Sequence, residues 1–211
     1  MLERLSDANR VLDLYKEGIQ QAKEGLEVFE QLGDTVEQAE CLNTLGWLLC
    51  DDRQFDAAEA AVSRAFDLLP EKGNQFLVCR CHRGLGDIFR SKGDKEKAIH
   101  HYETALGVAS SFDWHNELFW NHYFLAWLLS DQDRLDEANV HTEHAKSHVV
   151  NNQYHLGHTM YLQAKLWYQQ RRFDEARSEV LRATDLYKKL GAVQELPRCK
   201  LLLMKIVSEG E

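Results

Sequence analysis

The sequence predicts an all-α protein in which antiparallel helix pairs stack into a superhelix. The main observation is a set of four alanines that recur at intervals of 40, 40 and 38 residues: Ala58, Ala98, Ala138 and Ala176. Only two prolines, Pro70 and Pro197, occur in the 211 residues, and proline is the residue that a helix interior tolerates least. The chain is 44% hydrophobic and 28% charged, as expected for a folded protein with a core.

Each of these alanines lies within a two-part pattern of apolar and small residues. The first copy has this pattern at Leu42, Leu45, Gly46, Leu49, Ala58, Val62 and Ala65. Steps of three and four place such residues on one face of a helix. The small residues let two helices approach closely, so each copy predicts one antiparallel pair. A single pair cannot bury its apolar stripe alone, and neighbouring pairs therefore stack.

The pattern divides the chain, which we take as a single domain of residues 1–211, into six segments. An N-terminal helical part-repeat, four repeats and a C-terminal capping helix are predicted at 1–34, 35–73, 74–113, 114–152, 153–191 and 194–208. The part-repeat is indicated by a half-copy of the pattern at Ala22, Leu26 and Phe29. The capping helix has an apolar stripe that we expect to face the last repeat, at Leu196, Cys199, Leu203 and Ile206.

Turn and cap residues agree with this division. Gly93 suits a helix end in the left-handed conformation. The residues from Thr35 to Gln38 have the capping-box pattern before the first full repeat. Four carboxylates occupy positions that favour a helix start, namely Asp56, Asp94, Asp136 and Asp174.

The pattern resembles the tetratricopeptide repeat, in a long-unit form of about 40 residues per repeat. The resemblance covers about residues 15 to 190, and the segment from Ala39 to Pro70 matches best. The later copies depart from it, because alanine replaces glycine at 126 and 164 and Gln163 replaces leucine. Units of this length are similar to those of kinesin light chain, spindle-orientation adaptors and repeat arms of nucleotide-switch proteins. The resemblance implies that the superhelix is right-handed, a TPR-like α-solenoid, which is a scaffold on which many different partners are bound.

The resemblance also implies that the first helices of the repeats line a concave groove. The groove positions that we predict to bind a partner are Asn43, Trp47, Arg80, Arg83, Asp87, Arg90, Trp120, Tyr123, Trp127, Tyr161, Lys165 and Tyr168. Large aromatic residues and arginines anchor many protein interfaces. The set therefore favours a protein or peptide partner with acidic and apolar side chains. Two other interpretations stay open: some aromatics pack between neighbouring helices, and the arginine stripe is a solvated face.

One partner type known for this repeat is excluded by the residues at its contact positions, and a second is disfavoured. The clamp that grips a C-terminal carboxylate in chaperone-linked members has lysine and asparagine where repeat one of this chain has Asn43 and Trp47. It has lysine and arginine where repeat three has Trp120 and Phe124. The asparagine ladder of kinesin-light-chain-like arrays is replaced by Trp47, Asp87, Trp127 and Lys165.

Charge and composition restrict the kinds of partner and the cellular compartment that we expect. The formal net charge of −9 argues against nucleic acid or an anionic membrane as partner, because both attract basic surfaces. No run of about 18 apolar residues is present, and the charged start lacks an apolar signal core. The five cysteines form no CxxC pair. We therefore expect reduced thiols and a cytoplasmic protein, with homo-oligomers possible.

Catalytic signatures are missing from the sequence, so we expect no enzyme, no catalytic residue and no cofactor. The ten histidines raise the question of a metal site, since His141, His144 and His148 share one helical face. These positions alternate with buried ones, and we interpret them as the outer face of a second helix, with no metal. His82 and His122 occupy equivalent sites, and we interpret them as packing residues.

The leading functional hypothesis is a protein-interaction scaffold or adaptor that binds a partner peptide or helix in the groove. One alternative is a structural or sensory arm of a larger nucleotide-switch protein, acting by self-association. A second alternative is a regulator that senses a small ligand or a signalling peptide.

Overall fold

The computed structural model describes residues 2–69 and 73–210, with side chains from residue 14 onward. Within these residues the chain forms ten α-helices and no strand: α1 Leu2–Leu32, α2 Thr35–Asp51, α3 Phe55–Leu68, α4 Gln75–Lys92, α5 Lys95–Phe112, α6 His115–Ser130, α7 Leu135–Ser147, α8 Gln153–Gln169, α9 Phe173–Lys189 and α10 Leu196–Gly210. A short 3₁₀ turn, Val193–Glu195, precedes α10. The repeat proline, Pro70, lies outside the described residues.

The helices alternate between two kinds. The first helices α2, α4, α6 and α8 begin at intervals of 40, 40 and 38 residues, and each is followed by a second helix, α3, α5, α7 or α9. The chain divides into two compact units, unit 1 at residues 1–111 and unit 2 at residues 112–211. In unit 1, α2 packs against α1, α3 and α4; in unit 2, α8 packs against α6, α7, α9 and α10. The all-α class predicted from the periodicity is confirmed.

Small side chains on the second helices form the packing seams. Ala58, Val62 and Ala65 of α3 are fully buried, because one face of α3 lies against α2. The close approach depends on Gly46 of α2, where an added Cβ would come 2.4 Å from Val62 Cγ2. The equivalent residues of α9, Ala176, Val180 and Ala183, are buried in the same way.

The observed helix ends agree with those predicted from the sequence, with one correction. Gly93 ends α4 with φ 85°, as predicted, and Asp94 accepts a hydrogen bond from the backbone N–H of Lys97 at 3.2 Å. The capping box predicted from Thr35 is wrong by one residue. Asp34 is the N-cap of α2 and accepts from the N–H of Glu37 at 3.2 Å, while Thr35 is the first helical residue. A carboxylate is the stronger acceptor at this position.

The tight turns use left-handed backbone conformations at recurring positions. The turn from first to second helix has φ between 59° and 85° at Arg53, Gly93, Asp133 and Arg171. The turn from second to first helix has φ between 51° and 69° at Gly33, Asp113, Asn151 and Gly191. The same chain path is thus built with glycine in some copies and with bulkier residues in others.

Helix α10 takes the place of a further first helix beside α8. Three hydrogen bonds join α8 to this segment at a spacing of 40 or 41 residues: Tyr154 to Glu195, His158 with Arg198, and Tyr168 to Glu209. The same spacing separates Arg80 of α4 from Glu40 of α2, which form an ion pair. The capping helix predicted for this segment therefore continues the register of the repeats. Its most buried side chains are Cys199, Leu202 and Ile206, whereas Leu203 of the predicted stripe is only half-buried.

No helix in the described part of the chain combines the length and the apolar character needed to cross a membrane.

Candidate partner-binding surfaces

In unit 1 the candidate surface is the face on which α2 and α4 lie side by side, and Trp47 stands at its centre. The guanidinium carbon of Arg80 lies 4.9 Å from the Trp47 ring centroid, and that of Arg83 lies 4.6 Å from it. Gly84 makes room for the indole, because a Cβ there would come 2.9 Å from Trp47 Nε1. Two cations within cation–π distance of one half-buried ring give this face a compact basic and aromatic centre.

The remaining charges of this face are anchored within the protein. Arg80 donates to Glu40 at 2.8 Å. Tyr102 donates its hydroxyl hydrogen to Asp87 at 2.7 Å, and Arg90 donates to the Tyr102 hydroxyl oxygen at 3.3 Å. Burial, reinforced by Asp87, raises the pKa of Tyr102 well above its ordinary value, so this hydroxyl stays protonated and holds the carboxylate. Asp87 and Arg90 therefore bind α4 to α5.

Asn43 lies beneath this surface and is fully buried. Among the described residues its side-chain amide has no hydrogen-bond partner, and neither has Trp47 Nε1. A Cβ at Gly84 would also approach Asn43 Oδ1 to 3.1 Å. Both unpaired groups thus point toward the same narrow gap between α2 and α4, where the backbone of α4 comes close.

In unit 2 the candidate surface is formed by α6, α8 and α10, and it is mainly aromatic. The Trp127 ring stacks on Tyr161 with a centroid distance of 5.8 Å and an interplanar angle of 17°. Lys165 places its Nζ 4.2 Å from the Trp127 centroid and 2.5 Å from Asp131 Oδ1. Trp120 is half-buried and stacks edge-on against Tyr123, with centroids 5.8 Å apart. The pattern of unit 1, a tryptophan in contact with a cation, is therefore present again in unit 2.

Arg198 of α10 holds this second surface together. It donates to the hydroxyl of Tyr187 at 2.7 Å and to that of Tyr123 at 3.2 Å, and it pairs with Glu195 at 2.8 Å. Its guanidinium carbon also lies 4.5 Å from the Tyr161 ring centroid. One side chain thus connects α6, α8, α9 and the turn before α10.

His158 completes the arrangement around Arg198. Burial, followed by the neighbouring Arg198, lowers the pKa of His158 to about 3, so the ring is neutral. Arg198 can act only as a hydrogen-bond donor. His158 Nδ1 therefore accepts the hydrogen bond from Arg198, at 2.7 Å. The ring proton is then on Nε2, which has no partner among the described residues.

A shallow pocket of about 270 Å³ opens between α8 and α10. Its lining includes Tyr161, Lys165, Tyr168, Leu201 and Lys205. The pocket joins apolar surface to two lysines, and it lies at the end of the unit 2 surface that α10 supplies.

The twelve residues predicted for the groove fall into two groups. Asn43, Tyr123 and Tyr161 are buried, and they support the surfaces from below. The other nine are half-buried: Trp47, Arg80, Arg83, Asp87, Arg90, Trp120, Trp127, Lys165 and Tyr168. Sequence reasoning missed Arg198, although it lies 40 residues after His158 and so continues the register of the first helices. It was overlooked because the final segment was interpreted only as a cap.

The histidines of unit 2 form a cluster on α6 and α7 that extends the face identified from the sequence. His122 Nδ1 lies 2.9 Å from His141 Nδ1, and His115 Nδ1 lies 3.1 Å from His148 Nδ1. The His122 ring also stacks on His144 with centroids 4.9 Å apart. Within residues 2–69 and 73–210, no group of three or more histidine, cysteine or acidic side chains is arranged to hold a metal ion. These contacts are ring packing and imidazole hydrogen bonds.

The helix pairs and their surfaces define the class, an α-solenoid of repeated helical hairpins. Residues 84–112, which span the end of α4 and all of α5, match the family model described as Tetratricopeptide repeat. The fold of the chain is accordingly a helical repeat fold of the tetratricopeptide type. No curated protein was found to match the sequence.

Several solved structures of other proteins share this fold. BtubC (BKLC) from P. vanneervenii is 16% identical, with a TM-score of 0.69 over 92% of this chain and 91% of that one. A Rap protein complexed with Competence and Sporulation Factor is 11% identical, with a TM-score of 0.68 over 94% of this chain; the match spans 60% of the Rap chain. A tetratricopeptide repeat protein from Parabacteroides merdae is 14% identical, with a TM-score of 0.57 over 97% of this chain and 80% of that one. At these identities the likeness establishes the fold alone.

Proposed function

We propose that this protein is an adaptor that binds a partner polypeptide on the first-helix faces of its units, and that the partner segment carries acidic and apolar side chains. Repeats of this type serve as scaffolds for protein interaction. The absence of paired cysteines among its five free thiols favours a reducing compartment such as the cytoplasm.

The observation that carries the proposal is Trp47 between Arg80 and Arg83. Tryptophan and arginine are the residue types that contribute most binding energy at protein interfaces. The two guanidiniums lie within 5 Å of the indole centroid, so an acidic side chain could pair with them while an apolar neighbour packs on the ring. Trp127 with Lys165 offers a second contact of the same chemistry in unit 2.

The match to the Rap structure supports a polypeptide partner in a further way. That Rap protein was solved in complex with Competence and Sporulation Factor. A protein with this fold can therefore bind such a factor.

Peptide selection tests this proposal directly, because it requires no candidate partner. A random peptide library displayed on phage is selected on the wild-type protein, on an Arg80→Glu/Arg83→Glu variant and on Arg64→Glu. Arg64 is a matched control because it is an exposed arginine of α3 that also pairs with a glutamate, Glu30. We expect wild type and Arg64→Glu to enrich peptides that combine aspartate or glutamate with aromatic or branched residues. The double variant should lose that enrichment.

A selected peptide then allows affinity to be measured by fluorescence polarisation. Trp47→Ala should weaken binding at least tenfold, which corresponds to about 1.4 kcal/mol or more. Circular dichroism checks that the variant keeps its helices. If no peptide family is enriched on the wild type, or if the double variant retains the same acidic peptides, the surface is not a recognition site.

A further inference from the structure

The face between α2 and α4 contains a notch beside Gly84, in the interior of α4. The residues at the equivalent register of α6, α8 and α10 have large side chains: Phe124, Leu162 and Leu202. Glycine is disfavoured inside a helix, and its effect here is to leave space next to α2. The indole of Trp47 occupies that space, since a Cβ on Gly84 would lie 2.9 Å from its Nε1 and 3.4 Å from its Cδ1.

Asn43 forms the floor of this notch. It lies four residues before Trp47 on α2, which places the indole directly over it. Asn43 is 0% exposed, and a Cβ on Gly84 would come 3.1 Å from its Oδ1. The equivalent residues of the later first helices carry no amide: Arg83, Tyr123, Tyr161 and Leu201. The notch of unit 1 therefore differs from the other copies in its chemistry as well as in its space.

Three polar atoms at the notch have no hydrogen-bond partner within the part of the chain that the structure describes. They are Nδ2 and Oδ1 of Asn43 and Nε1 of Trp47. A buried polar group without a partner destabilises the folded protein, so the covered arrangement is unfavourable for all three atoms. The guanidiniums of Arg80 and Arg83 contact the indole that forms the cover. A carboxylate that pairs with these arginines competes with that contact and so loosens the cover.

We propose that Trp47 is a movable cover, and that the Asn43 carboxamide beneath it binds an amide group of the partner segment. This inference rests on the proposed function and deepens it, because it assigns a second kind of contact to the same surface. A carboxamide both donates and accepts hydrogen bonds, so it is complementary to the N–H and C=O of another amide. In the complex the indole turns outward onto an apolar side chain of the partner, and Asn43 gains the hydrogen bonds that it lacks in the free protein.

The proposal predicts opposite effects of one substitution on stability and on binding. Asn43→Val removes both unpaired polar atoms from the core, and valine has a helix propensity close to that of asparagine. The variant should unfold at a higher urea midpoint than the wild type. Its affinity for a peptide selected on the wild type should nevertheless fall by about tenfold or more. An asparagine with a purely structural role would give a lower midpoint instead.

Asn121→Val is the matched control. Asn121 is also 0% exposed, but it lies on α6 and its Nδ2 donates to the backbone oxygen of Glu117 at 2.7 Å. Its replacement removes a hydrogen bond that the folded protein makes, so the urea midpoint should not rise. The affinity for the peptide should stay within about twofold of the wild type, as expected for a distant site.

Methylation of single backbone nitrogens in the selected peptide identifies the amide that is bound. If it belongs to the main chain, one methylated peptide should bind the wild type about tenfold more weakly or worse and lose nothing further on Asn43→Val. If it is a side chain, the same coupling should appear when one asparagine or glutamine of the peptide is replaced by leucine. Fluorescence polarisation measures both series, and either coupling supports the proposal.

Movement of the indole has a readout of its own. Trp47 is the only tryptophan before residue 112, and in protein labelled with fluorotryptophan its fluorine NMR signal is assigned by Trp47→Phe. Gly84→Leu fills the notch with the side chain found at the equivalent place in α8 and α10, and it should displace the indole. The Trp47 signal of this variant without peptide should therefore shift in the same direction as that of the wild type with peptide. A signal that stays in place contradicts a movable cover.

The outcomes separate this inference from the proposed function. A wild type that selects no peptide family overturns both. A peptide that depends on Arg80, Arg83 and Trp47 but binds Asn43→Val as tightly as the wild type overturns the inference alone. So does a lower urea midpoint of Asn43→Val, or a peptide in which no amide is coupled to Asn43.

Discussion

Gly86 has no side chain, and the ring of Tyr102 occupies the space that a Cβ would fill. A Cβ at this position would lie 2.6 to 2.9 Å from three atoms of the Tyr102 ring, and that ring is fully buried. Gly107 of α5 is different, because nothing lies within 4 Å of the place where its Cβ would be. The two helical glycines therefore have different physical reasons to be present.

The same substitution should have opposite effects at these two positions. Gly86→Ala should lower the free energy of unfolding by about 1–3 kcal/mol, because the buried ring has to move. Gly107→Ala should raise it by about 0.5–1 kcal/mol, because alanine restricts the unfolded chain and favours the helix. Urea unfolding followed by circular dichroism measures both. A shift of the two midpoints in the same direction would contradict the packing described here.

For single residues, the periodicity of the sequence predicted the helix face on which a side chain lies but not how deeply it is buried. Periodicity placed Tyr123 and Trp127 on one face of α6, and they do lie on the unit 2 surface. It could not tell that Tyr123 is buried while Trp127 is half-buried. Tyr123 packs in a core cluster with Phe119 and Leu162, and its hydroxyl accepts a hydrogen bond from Arg198, which is distant in sequence.

At the level of elements, the pairing of α6 with α7 includes an unusual number of imidazoles in contact. Burial, followed by the neighbouring His141, His144 and His148, lowers the pKa of His122 to about 3. Burial also lowers the pKa of His141 and of His148. The nearby charged groups are few and of both signs: Asp113 beside His115, and Glu137 and Arg134 near His141. The folded helix pair therefore requires neutral rings.

Acid should destabilise this helix pair through these histidines. Above pH 6.5 the rings are neutral in the folded and unfolded chain alike, so they contribute no pH dependence. As the pH falls through about 6.5, the histidines of the unfolded chain become protonated while those of the folded protein stay neutral. The free energy of unfolding therefore falls by up to about 1.4 kcal/mol per pH unit for each such ring.

Urea unfolding at pH 7.5, 6.0 and 5.0 measures this slope. His122→Gln should make the loss of stability between pH 7.5 and 5.0 smaller than in the wild type. His100→Gln changes an exposed histidine of α5 and serves as the control, with a slope close to that of the wild type. An unchanged slope in His122→Gln would mean that this ring does not resist protonation.

Element boundaries were predictable where the signal is local. Gly93 and Asp94 predict the end of α4 and the start of α5 correctly. A left-handed glycine and a capping carboxylate are local signals that depend only on nearby residues. The role of α10 was harder to predict. Its composition fits a cap, and only its hydrogen bonds to α8 reveal that it continues the series of first helices.

At the scale of the whole molecule, the periodicity was sufficient to predict the all-α solenoid, because each helix pair contacts mainly its neighbours in sequence. The partner was not predictable in the same way. Partner recognition depends on which side chains remain accessible on a surface. The same repeat scaffold can carry many different sets of surface side chains and so bind many different partners.

The two compact units should differ in their response to a local change. Four of the five tryptophans follow residue 112 and lie in unit 2, so tryptophan fluorescence reports mainly on that unit, whereas circular dichroism reports on both. In Gly86→Ala the circular dichroism transition should begin at lower urea than the fluorescence transition, because the weakened core belongs to unit 1. In Gly107→Ala no such early phase should appear. Coincident curves in Gly86→Ala would mean that the chain unfolds as one cooperative block.

The recurring turns have a consequence for protein engineering. Arg53, Asp133 and Arg171 adopt the left-handed backbone that Gly93 adopts at the equivalent place, and a residue with a Cβ pays about 1 kcal/mol there that glycine does not. Glycine at these three exposed turn positions should therefore raise the temperature at which the protein unfolds. A thermostable version of this scaffold could be built at these turns without altering any residue of the core or of the binding faces.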